Sequence, residues 1–225
     1  MTSTRLRSLA ALAVVAAVAL SGCSAVPALS GGAAARVGDD SISLDEVAST
    51  AAAYCSAVET QISEDQSVPN SVVNSQVAGS LVLRAAAEQF AAEEGVSPDE
   101  SYRTDQATLE ASLGDLTEEQ KEAVREVNLA RPYVSAVQLA VGKKLVPGAQ
   151  AEEATQAGGE AFTAWLDDQD VRFDPRFGLA VVDGAIARSD TQISYPVSRD
   201  AKIAVAGDGD QTYVAGLPSS QRCGG

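Results

Sequence analysis

Cys23, Cys55 and Cys223 are the only thiols in this chain of 225 residues, and the chain has no histidine. That combination decides much of the available chemistry. Without an imidazole, Ser-His-Asp and Cys-His catalysis and HExxH zinc sites are ruled out, and with them most transition-metal chemistry. Carboxylates are plentiful. Asp167, Asp168, Asp170 and Asp174 cluster in sequence and would suit a hard cation such as calcium, which takes several oxygen ligands. The EF-hand spacing and its closing Glu are missing, so the plainer reading is a solvated helix end and loop. Asp208-Gly209-Asp210 likewise reads as a turn rather than a metal loop. Arg172 and Arg176, beside Phe173 and Phe177, have the chemistry to grip a carboxylate or a peptide terminus. In so acidic a chain they are expected to pair with neighbouring acids. Gly158-Gly159 lacks the neighbours of a phosphate loop, and no spacing points to Ser-Lys or paired-carboxylate catalysis. These residues predict a protein that binds and does not catalyse, with no cofactor and no metal.

The thiols divide into one and a pair. Cys23 ends the run MTSTRLRSLAALAVVAAVALSGC, in which Arg5 and Arg7 form a basic start and Leu9 to Leu20 carry no charge. An apolar run this short falls below the roughly 20 residues of a bilayer span and has the arrangement of a secretory signal peptide. Leu20-Ser21-Gly22-Cys23 looks like a bacterial lipobox, whose Cys thiol receives a diacylglyceryl group before cleavage leaves it as the new N-terminus. The alternative is an ordinary signal peptide, or an N-terminal membrane anchor with an incidental Cys. Two acyl chains anchor stably where one is marginal. The expected address is therefore the extracytoplasmic side of the cell membrane, with the membrane itself as the partner through Cys23. If Cys23 carries lipid, Cys55 and Cys223 remain, and an even remainder in an oxidising compartment predicts a Cys55–Cys223 disulfide.

Charge narrows the partners. The chain holds 16 Lys and Arg against 31 Asp and Glu; beyond residue 22 the balance is 14 against 31, a net −17. This argues against nucleic acid, whose phosphates call for clustered basic residues, and against adhesion to an anionic membrane through a basic patch. Apolar residues make up 45% of the chain but aromatic ones only 4%, so the core must be built from Ala, Val and Leu.

The elements that would position these residues are mostly helices. Residues 24–35, small and uncharged, read as a tether, and 36–42 as an extended segment. Ser43 and Glu46 form a capping box opening a helix to about Ile62. A second helix starts at Val68-Pro69-Asn70-Ser71 and ends near Gly95. Ser97-Pro98-Asp99-Glu100 opens a third, closed by Gly114. Thr117 to Gln120 starts a fourth run to about Val141, which Pro132 should kink or split. A fifth covers about 149–168, weakened at Gly158-Gly159, with Phe162, Trp165 and Leu166 on its core face. Alternation over 171–182 suggests two short strands. From Asp183 the chain reads as an extended tail pinned at Cys223, with one irregular strand somewhere between Val197 and Tyr213.

Two segments carry a resemblance. Val37-Gly38, Ile42-Ser43 and Glu46-Val47 resemble the opening strand and helix of the periplasmic foldases of SurA and PrsA type. Val171 to Gly178, reading VRFDPRFG, is similar to the strand that closes that family's chaperone domain. The resemblance implies a mainly α fold: a SurA N-terminal-like helical domain over residues 36–182, closed by a small β element from about 36–42 and 171–182. It is preceded by a signal peptide (1–22) and tether (23–35) and followed by the tail (183–225). Relatives with a parvulin isomerase domain use histidines, and neither the domain nor the histidines are present. The implied function is a non-catalytic, chaperone-like binder of unfolded or extended exported polypeptides. The alternative is a dedicated interaction lipoprotein docking a single cell-envelope partner. The peptide-binding residues stay open.

Overall fold

The computed structural model describes residues 31–61, 63, 66–189, 195–206 and 210–224; the expected signal peptide, Cys23, the tether up to residue 30, Asp208 and Gly209 lie outside the described residues. The protein is mainly helical, with a few small antiparallel sheets.

Strands β1 (Ala33–Val37) and β2 (Asp40–Ser43) form a hairpin, and β4 (Val171–Phe173) pairs antiparallel with the other edge of β1, giving the order β2-β1-β4. The late strand therefore closes on the early one, with Ala35 opposite Phe173 and Val37 opposite Val171. β1 starts at Ala33, inside the run expected to be tether. Ala33, Ala34 and Ala35 are all buried, because only methyl groups fit where the central strand lies on the helices.

Six helices form the body: α1 (Leu44–Glu59), α2 (Asn70–Glu94), α3 (Ser101–Ser112), α4 (Glu118–Asn128), α5 (Ala130–Leu145) and α6 (Ala151–Asp168). Ser43 and Glu46 make the capping box of α1, with the Glu46 N–H donating to Ser43 Oγ at 3.0 Å. Thr117 and Gln120 do the same for α4. α3 begins later than the Ser97-Pro98 signal implies. The working cap is Asp99, whose Oδ1 accepts from the Ser101 N–H, while its other oxygen pairs with Lys143. The break between α4 and α5 falls at Leu129, and Pro132 sits in the first turn of α5, where its missing N–H leaves no helical bond unmade. α2 runs through the centre and buries Val77, Ala78, Val82, Ala86, Ala87 and Phe90.

α5 and α6 pack antiparallel with backbone against backbone. A Cβ at Gly142 would stand 1.6 Å from the Ala154 carbonyl oxygen, and one at Gly158 would stand 1.8 Å from that of Gln138. The glycines that weaken α6 in isolation are thus what lets the pair approach.

The C-terminal part differs from the expected extended tail. β5 (Leu179–Val182) does not join the β1 sheet; it forms a hairpin with β6 (Ala185–Arg188) around Asp183-Gly184, both with positive φ (50° and 67°), as a two-residue I′ turn requires. The tip sits so close to α6 that a Cβ on Gly184 would be 2.3 Å from the Thr163 carbonyl oxygen. Where an irregular strand was expected, there are two short helices, α7 (Arg199–Ala206) and α8 (Gln211–Ala215). Side-chain caps explain them: Ser198 Oγ accepts from the Ala201 N–H, and Asp210 Oδ1 from those of Thr212 and Tyr213. The chain ends in β7 (Arg222–Cys223), antiparallel to β3 (Val68–Pro69).

The glycine contacts separate two substitutions that look alike in sequence. Gly158→Ala drives a methyl group into a backbone carbonyl and should cost about 1–3 kcal/mol or more. Gly159→Ala meets only the Gln138 side chain at 3.9 Å and should gain about 0.5–1 kcal/mol of helix propensity. Urea unfolding of the two variants should move in opposite directions from the parent; loss of stability in both would refute the backbone contact.

Candidate functional site

Cys55 and Cys223 are joined in a disulfide, as the cysteine count predicts, across 168 residues of sequence. Cys55 stands on α1 and Cys223 on β7, so the bond fastens the end of the chain to the first helix. Cys223 is buried in the hydrophobic core, and polar contacts surround the clamp. The Gly224 N–H donates to Glu59 Oε1 at 2.9 Å, Asn70 Nδ2 to the Ser220 carbonyl at 3.1 Å, and Arg222 Nη1 to the Ala215 carbonyl at 3.1 Å. Val214 is the fully buried apolar residue of α8.

This clamp shapes a cleft. A cavity of about 280 Å³ lies between the start of α2 and the α7–α8 segment, and one of about 440 Å³ adjoins it within the 199–217 segment, the two sharing Ile203, Asp210, Tyr213 and Leu217 as walls. The α2 side contributes Pro69, Asn70, Ser71 and Asn74. The lining mixes carboxamides, hydroxyls and apolar walls with the charged side chains of Arg199, Asp200 and Asp210. Such a surface can hold an extended chain or a small polar molecule by hydrogen bonds and burial. Tyr195 and Val197, on the segment leading into α7, are 89% and 85% exposed, unusual for side chains of that size.

The other residues singled out by sequence play local roles. Asp170 pairs with Arg172 at 2.7 Å, and Asp174 caps the 3₁₀ turn Pro175–Phe177 and pairs with Arg176 at 3.0 Å. Asp167 and Asp168 end α6 in solvent. The four aspartates do not converge on a common point among the described residues. Trp165 is half-buried against Phe90 and Phe162, with its Nε1 donating to Glu93 Oε2 at 2.7 Å.

Two clusters were not anticipated. Arg84 lies over the Tyr133 ring, 3.6 Å from its centroid, and donates to Tyr102 Oη at 2.7 Å, with Glu88 as its ion-pair partner. This arrangement satisfies the cation and locks α2 to α3 and α5. Between α1 and α4 runs a polar seam: Thr50 Oγ1 donates to Glu126 Oε2 at 2.9 Å, and Gln120 Nε2 to Ser56 Oγ at 2.9 Å. Burial pushes the Glu126 carboxyl above the ordinary glutamate value, the Thr50 hydroxyl opposes this, and the charges of Glu122 and Glu46 add to it.

Removing the clamp has a size set by its loop. Chain entropy gives a ceiling of about 5 kcal/mol for a loop of this length, and the Cys55→Ser/Cys223→Ser double variant should lose 2–5 kcal/mol by that same estimate of about one long loop. Hydrogen exchange should show α7, α8 and β7 losing protection well before the α5–α6 pair. Equal protection of tail and body in the variant would refute the clamp.

Glu126 sets a pH dependence. Its folded pKa is raised, so its stabilising contribution is complete below the unfolded value of 4.5 and is lost as pH rises through the higher folded value. Glu126→Gln keeps an oxygen to accept from Thr50 and removes the buried charge. The variant should be more stable than the parent at pH 7 and indistinguishable from it near pH 4, which thermal melts at the two pH values would check. No family model, no curated protein and no solved structure matches this chain.

Proposed function

We propose that this chain is an exported lipoprotein, cleaved before Cys23 and held at the extracytoplasmic face of the cell membrane by a diacylglyceryl group on that residue. Its body acts by binding other polypeptides and performs no catalysis. No helix among the described residues is long and apolar enough to cross a membrane. The observation that carries the reading is the pairing of β4 with β1 around an intervening set of helices, the arrangement that the resemblance to the SurA and PrsA foldases implies. The disulfide supports the compartment, since such bonds persist where the surroundings oxidise.

Of the two binding modes, the geometry favours a dedicated envelope partner. The C-terminal segment is covalently fastened to α1 and paired to β3 beside the start of α2, and the large apolar side chains exposed among the described residues are Leu145, Val182, Tyr195 and Val197. A holder of unfolded clients needs a broad apolar surface, because non-directional burial is its whole source of affinity. The chaperone-like mode keeps one structural argument, the β1–β4 pairing, and requires the tail to move.

Cross-linking in intact cells followed by capture of the tagged protein from solubilised membranes separates the modes. One stoichiometric partner is the expected result, and a broad set of exported polypeptides would favour the chaperone. Cys23→Ala should release the protein from the membrane fraction; unchanged attachment would overturn the anchor.

A further inference from the structure

The clamp holds a group that a disulfide does not need. Glu59 stands one helical turn beyond Cys55 on α1, and its Oε1 lies 3.5 Å from Cys55 Sγ. The Gly224 N–H holds that oxygen in place at 2.9 Å. The two sulfurs and a carboxylate oxygen of Glu59 all lie within 4.8 Å of one another. We propose that Cys55, Glu59 and Cys223 are a second chemical state of the same clamp: when the disulfide is reduced, they seat a zinc ion. The proposal does not rest on the anchor or on the binding function.

The geometry is close to what zinc needs. With Zn–S of about 2.3 Å and Zn–O of about 2.1 Å, tetrahedral ligands place sulfur and oxygen about 3.6 Å apart and two sulfurs about 3.8 Å apart. The Cys55–Glu59 separation already matches the first value. The second is reached once the reduced sulfurs are free to separate. Two thiolates select a soft or borderline divalent ion over calcium or magnesium. Cys223 is buried, while Cys55 is partly exposed and Glu59 exposed, so the site opens to solvent on the α1 side and water completes the fourth position.

The chemistry balances with a dithiol reductant. Its two thiols become a disulfide, the Cys55–Cys223 bond takes up two electrons and two protons, and two thiols result. Zinc then binds as each thiol gives a proton to solvent. β7 remains fastened to α1 in either state, by a covalent bond in one and through the metal in the other.

Cobalt(II) is the probe, because thiolate ligation gives an intense near-ultraviolet charge-transfer band. The full chain in a Cys23→Ser background, reduced with a phosphine and freed of it under argon, should titrate as two thiols. It should bind one cobalt(II) per chain with that band, which one equivalent of zinc bleaches. The oxidised chain should show no band. Glu59→Gln, which still accepts from Gly224, should bind at least tenfold more weakly. Cys223→Ser should lose the site, and zinc should restore slow proteolysis of the tail in the reduced parent alone. No band in the reduced chain, an affinity unchanged by Glu59→Gln, or the same band in Cys223→Ser would each overturn the proposal.

Discussion

A core of alanine and valine cannot fill space by reaching across it, so it has to bring backbones together. This chain has few aromatic residues, and its buried interior is dominated by Ala along β1, α1 and α2 and by Val along α2 and α5. Each such side chain removes little apolar surface from water, at about 0.8 kcal/mol per methylene. The remaining cohesion comes from dispersion between closely spaced atoms, which explains why α5 and α6 touch through Gly142 and Gly158. The larger side chains are spent at two places. Phe90, Phe162 and Trp165 fill the gap where α2 crosses α6, and Tyr102 and Tyr133 enclose Arg84 where α3 joins α2 and α5.

A body of that kind has little apolar surface left with which to hold a tail. α7 and α8 have eight and five residues, below the length at which a helix is stable by itself, and β7 offers two residues to β3. The disulfide supplies what burial does not, by removing from the unfolded ensemble the conformations in which the tail is far from α1. The cleft inherits that dependence. One wall belongs to α2, part of the central core, and the other to a segment held by one covalent bond, the short β3–β7 pairing and buried Val214.

The helical body was largely readable because its signals are local. Ser43 with Glu46 and Thr117 with Gln120 announced two helix starts, and Pro132 marked the break between α4 and α5. The disulfide followed from cysteine parity. What escaped depends on distance in space. Gly158 reads as a defect until Gln138 is known to lie against it. Glu59 carries no signal except its spacing from Cys55. The β5–β6 hairpin was readable in Asp183-Gly184 between apolar runs, the strongest short hairpin signal there is; the polar residues that follow drew the whole segment into the tail. The walls of the cleft, Ile203, Tyr213 and Leu217, lie in or just after short helices whose local markers are the caps Ser198 and Asp210.

The distribution of charge ties the body to the proposed anchor. Arg84, Lys121, Arg125, Lys143, Lys144, Arg172 and Arg176 are each matched with a carboxylate of the same chain. Pairing them leaves the excess of acids as the field felt outside. An anionic membrane surface repels such a body within about one Debye length, about 10 Å at moderate salt. A lipid at Cys23 would therefore hold the protein near the membrane while its own charge keeps it from lying down. A partner with a basic surface gains most in its rate of encounter, since complementary fields steer approach more than they add to final affinity.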